Sequence, residues 1–94
     1  MKIVGTIERM KTNEDKKIVE IILVTTEEIP NYLSITYFIR EGRTFPKVKS
    51  GDMIVAEVKL SGRRWIDPET GEAKYFMSLI AKKIIFIEED NNEN

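Results

Sequence analysis

YLSITYFIR, residues 32–40, is the stretch whose alternation decides the fold. Successive side chains of an extended strand point to opposite faces. Leu33, Ile35, Tyr37 and Ile39 therefore share one face, and Tyr32, Ser34, Thr36, Phe38 and Arg40 share the other. The first face is apolar apart from one phenol, which predicts a strand packed on a core. The second sets two aromatics, six residues apart, beside two hydroxyls and an arginine. Rings held outward among polar groups form a stacking platform.

Working outward from residues 32–40, four more stretches show the same period and the same enrichment in β-branched and aromatic residues, so strands are predicted at 2–10, 17–26, 32–40, 52–61 and 74–87. Val19, Ile21 and Leu23 in the second, and Ile54, Ala56, Val58 and Leu60 in the fourth, are assigned to the core. KTNEDK and EEIPN are short polar connections, the second holding Pro30, which cannot donate to a ladder. The connection from Glu41 to Gly51 is longer and is expected to cross one end of a barrel. RRWIDPETGEA, residues 63–73, reads as the projecting tip of a long hairpin, with a Pro-initiated turn closing at Gly71. In the last strand a bend or bulge near Lys82 and Lys83 is expected to let its two halves pair with different neighbours. The expectation is an all-β chain folded as one five-stranded barrel, with a long hairpin between strands 4 and 5. At 94 residues it has room for one core.

Composition narrows the chemistry. The chain has no cysteine and no histidine, which removes thiolate nucleophiles, disulfides, the commonest general base and the commonest zinc ligand. No cofactor and no metal are expected, and the chain is read as a non-enzyme. Asp67 followed by Glu72, Ala73 and Lys74 superficially matches the Asp, then Glu-x-Lys, arrangement of metal-dependent nucleases. These acids fall within one hairpin tip, where they keep the turn solvated, and no α/β core surrounds them. No apolar run approaches the length of a membrane span, and MKIVGTIERM alternates instead of forming a signal peptide's apolar block. No membrane partner is expected, and the location is read as cytoplasmic.

The formal net charge of −1 is unevenly spread. EEDNNEN, residues 88–94, carries four acids and no base, so residues 1–87 hold 15 bases against 12 acids. That end is read as an acidic disordered tail, 88–94, following a barrel domain at 1–87. Between residues 40 and 64 seven bases face three acids. Arg40, Lys59, Arg63 and Arg64 are the candidate phosphate contacts there. Trp65 follows the arginine pair and precedes a polar turn, a setting that predicts exposure. Tyr32, Phe38 and Trp65 interleaved with cations suit sequence-tolerant binding of a single strand, since every base offers a π-face and every phosphate a charge.

Three pieces resemble the bacterial single-stranded DNA-binding protein family: VKLSGRRWIDPETGEAKY (58–75), YLSITYFIR (32–40) and the segment 48–55, in which Lys-Ser-Gly-Asp leads into a strand. The resemblance covers about residues 17–87. It implies an OB-fold, with Tyr32, Phe38 and Trp65 stacking on single-stranded DNA and Arg63 and Arg64 on its path. It further implies a homo-oligomer, dimer or tetramer, working in replication, recombination or repair alongside proteins of those processes. The sequence departs from the family in two places. TTEEIPN, residues 25–31, is short and lacks the aromatic that family members carry in this connection, and the tail ends in Asn-Glu-Asn without an apolar tip. Two other functions fit the same residues. In one, the barrel is a protein–protein interaction module with Tyr32, Phe38 and Trp65 as anchors. In the other, it is an RNA-binding or primosomal accessory protein, because stacking alone does not distinguish the sugars.

Overall fold

A computed structural model of the chain describes residues 1–40 and 45–87. Its strands are β1 (Lys2–Asn13), β2 (Ile18–Thr25), β3 (Tyr32–Phe38), β4 (Met53–Ile66) and β5 (Ala73–Phe86). They form a closed barrel in the order β1-β2-β3-β5-β4, and β1 pairs with β4 to complete the ring. Every pairing is antiparallel except β3 with β5. This is the five-stranded, all-β barrel that the alternation predicted, with the OB-fold architecture that the resemblance implied.

The core takes one residue in two from each strand. Ile7, Val19, Ile21, Leu23, Ile35, Tyr37, Ile54, Ala56, Val58, Ala81 and Ile84 are buried. The face of β3 assigned to the core is the buried one. Phe45 and Val48 pack against this core from the connection leading to β4, and the Phe45 ring meets Tyr37 edge-on, with centroids 5.0 Å apart. Gly51 N–H donates to the carbonyl of Ile7 and Ile7 N–H to that of Asp52, so this connection closes one end of the barrel, as expected. Its first residues, 41–44, lie outside the described part, as does the segment read as the acidic tail, 88–94.

At Gly5 the chain passes between two partners, Thr25 of β2 and Ile54 of β4. A Cβ at Gly5 would stand 2.5 Å from the Val24 carbonyl oxygen and 2.9 Å from Leu23 Cγ. No other residue type fits there without moving backbone.

The strands of the hairpin run further than alternation suggested. β4 continues to Ile66, and the tip shrinks to residues 67–72. Trp65 and Ile66 favour extended backbone, and the stop is made by Asp67. Its Oδ1 accepts from Glu69 N–H at 2.8 Å, and its carbonyl accepts from Gly71 N–H at 2.8 Å. Gly71 turns the chain back at φ 75°, a region that favours glycine.

Two expectations need correction here. Leu60 was assigned to the core and is 59% exposed. β1 pairs with β4 only from Met53 to Glu57 and β3 with β5 only from Leu79 to Ala81, so Leu60 stands at the rim of the barrel, uncovered by β1, and beyond it the hairpin runs on as a free two-stranded arm. The bulge expected near Lys82 is present, since Glu57 pairs with Lys83 and Val58 with Ala81, leaving Lys82 as the extra residue. Both halves of β5 nevertheless stay paired with β4, and only Leu79–Ala81 also pairs with β3.

Candidate nucleic-acid interface

Residues directly opposite in an antiparallel pair point to the same side. Along the outer side of the arm the register stacks Lys59 with Ile80, Ser61 with Ser78, Arg63 with Phe76, and Trp65 with Lys74. Thr36 of β3 stands beside Ile80, so the outer face of β3, with Tyr32, Ser34, Thr36 and Phe38, runs on into the outer face of the arm. The surface is continuous from the barrel wall to the arm.

Phe38, Arg40 and Lys59 meet around a cleft of about 270 Å³ whose other lining residues are Ile80, Ala81 and Lys82. β3 ends at Phe38, which leaves Arg40 just past the strand. The bulge adds Lys82 to the same cleft. An aromatic wall, an aliphatic wall and three cations in one concavity suit a base together with its phosphates.

Arg63 and Trp65 lie further out, on the arm. Trp65 is 48% exposed, and the Lys74 ammonium sits 5.7 Å from the centroid of its ring. That is cation–π distance. Tyr32 is 63% exposed at the other end of β3, next to Val24 of β2 and away from the cleft.

Arg64 does not join its neighbours. It pairs with Tyr75, whose row belongs to the barrel side of the arm together with Leu60, Ile66 and Met77. Adjacent strand residues point apart, so the arginine pair of the sequence is split between two faces. Three residues that sequence reasoning passed over belong to the outer face: Phe76, 53% exposed opposite Arg63, with Lys74 and Ile80. Period-two alternation along β5, which puts Lys74, Phe76, Ser78 and Ile80 on one side, was the signal that could have found them. Among the described residues no polar or charged side chain is buried, and no cluster of acids is placed to hold a metal ion.

The barrel is similar to the crystal structure of the mitochondrial single-stranded DNA-binding protein Rim1 of S. cerevisiae. The match has a TM-score of 0.65 at 18% sequence identity and covers 96% of this chain and 95% of that one. A likeness at that identity shows the shared fold. No curated protein matches the chain in sequence. Residues 2–85 match a family described as a domain of unknown function, DUF3127, and the chain, with its five-stranded barrel and projecting arm, belongs to that family.

Proposed function

We propose that the protein binds single-stranded DNA, without sequence preference and without catalysis, in replication, recombination or repair. The observation that carries this is the continuous outer face, where Phe38, Trp65 and Phe76 alternate with Arg40, Lys59, Arg63 and Lys74. Likeness in fold to a mitochondrial single-stranded DNA-binding protein, and in sequence motifs to the bacterial family, supports the same reading. The setting is cytoplasmic.

Titration with oligo-dT is expected to quench Trp65 emission at micromolar protein, with affinity falling steeply as salt rises because bound cations displace counterions. Oligo-U as competitor measures the preference between the sugars. Unchanged emission together with salt-insensitive binding would reject the proposal.

The barrel side of the arm bears on assembly. Leu60, Ile66, Tyr75 and Met77 are all more than half exposed there, and a two-stranded ribbon is marginal in water unless something covers it. This supports association between copies, as a dimer or tetramer, and is the feature that favours a protein-docking role. Light scattering is expected to give a mass above that of one chain, and Met77→Lys to lower it. A single-chain mass at every concentration would rule association out.

A further inference from the structure

The outer face is not one uniform strip. Between the row of Lys59 and Ile80 and the row of Arg63 and Phe76 lies a row of two serines, Ser61 and Ser78. These offer neither a π-face nor a charge. On either side of them the rings and cations fall into two groups. On the barrel wall Phe38 lines a cleft with Arg40, Lys59, Lys82 and the aliphatic side chain of Ile80. On the arm Trp65 and Phe76 stand diagonally across the ribbon, each opposite a cation, Lys74 and Arg63.

We propose that these are two separate base-stacking stations on one strand path, and that tight binding requires a strand long enough to occupy both. The proposal rests on the outer face being a single-stranded DNA site. From Lys59 to Trp65 is six residues of β4, which at ~3.3 Å per residue sets the stations about 20 Å apart. A strand keeping its ~3.4 Å stacked spacing needs about six nucleotides to bridge that gap, and a splayed strand needs fewer.

The two stations differ in what they hold. The cleft is concave and has three cations for one ring, so it takes a base with the phosphates on either side. The arm has two rings, and Lys74 covers one side of the indole, so a base enters from the side that Lys74 leaves open. The serine row lets the intervening sugars pass close to the sheet without anchoring them. Once one station is filled, the other sees its base at an effective concentration in the millimolar range, a gain that a shorter strand does not receive.

The test uses fluorescein-labelled oligo-dT over a range of lengths, about 3 to 18 nucleotides, bracketing the single-barrel site sizes of about 4 to 16. Anisotropy reports binding at either station. Trp65 is the sole tryptophan, so its emission reports the arm alone. The native chain is expected to gain about 100-fold in affinity between roughly four and eight nucleotides, within the range that linking two sites gives. Phe38→Leu, which keeps apolar bulk at this half-buried position but removes the π-face, should abolish the step while long strands still quench Trp65. Trp65→Ala should abolish the same step. A smooth rise with length, or a step that survives Phe38→Leu, overturns the two-station arrangement while leaving the DNA site standing. Absence of salt-sensitive binding at every length overturns the site and the stations together.

Discussion

Gly5→Ala is expected to cost about 3 kcal/mol or more, the upper end of what overpacking costs, and so a large part of the stability of a chain this small. The methyl would meet the Val24 carbonyl oxygen at 2.5 Å and Leu23 Cγ at 2.9 Å. The first of these is backbone in the facing strand, and it cannot rotate away. Because β1 at this position is held by β2 on one side and by β4 on the other, relief requires the barrel seam to open. Gly62 provides the control. It sits in the arm with nothing within 4 Å of its added Cβ, so Gly62→Ala should leave stability within about 0.5 kcal/mol, or raise it slightly by stiffening the unfolded chain. Urea denaturation of both variants distinguishes them. Equal midpoints would mean that the seam yields easily and that closure of the ring is not tightly packed.

Removing both arm rings is the change expected to weaken DNA binding most. Stacking on one aromatic contributes about 1–3 kcal/mol per base. Trp65→Ala combined with Phe76→Ala should therefore reduce affinity for long oligo-dT by about 100-fold or more, read by anisotropy of labelled DNA. The folded state should hardly notice, since both rings are about half exposed on a ribbon that has left the barrel. Arg63→Ala and Arg64→Ala then provide a stringent comparison. They are sequence neighbours with identical charge, yet Arg63 stands opposite Phe76 on the outer face and Arg64 opposite Tyr75 on the barrel side. Arg63→Ala should weaken binding several-fold and flatten the salt dependence by about one counterion. Arg64→Ala should do neither. Equal losses from the two would show that the strand wraps the arm and does not lie along one side of it.

The contrast between those arginines also marks where sequence was enough and where it was not. Within β3 alternation sorted the residues correctly, with Ile35 and Tyr37 inside and Tyr32 and Phe38 outside, because β2 pairs with that strand over its whole length and β5 pairs with its centre. The same rule failed at Leu60. Parity puts it on the core side, but whether a core exists at that height depends on where β1 stops, and nothing in the residues around Leu60 encodes that. Arg63 and Arg64 were grouped as a basic pair by adjacency, although period-two geometry separates them. Phe76 was overlooked for the converse reason: its partner Arg63 is thirteen positions away in sequence, and only the register set by the turn at Gly71 brings them together. Patterns within one strand are local and legible. Where strands end, and what they meet across a ladder, are properties of the ring.

The extra residue at Lys82 has a consequence for how such chains can change over generations. Below it the core-side position is Ile84 and above it Ala81, a spacing of three, so the bulge resets the alternation and keeps the inner side of the arm in phase with the barrel. Insertion or deletion of a single residue here would put the side chains of β5 out of phase with those of β4 on one side of the bulge. Past Leu79, where β5 leaves β3 and the core, the constraint relaxes, because no barrel packing depends on how long the arm is. A lineage can lengthen or trim the arm in matched two-residue steps on both strands, each moving Trp65 by about 7 Å along the ribbon. The arm behaves as a ruler with discrete graduations, and inheritance can adjust its reach without touching the barrel.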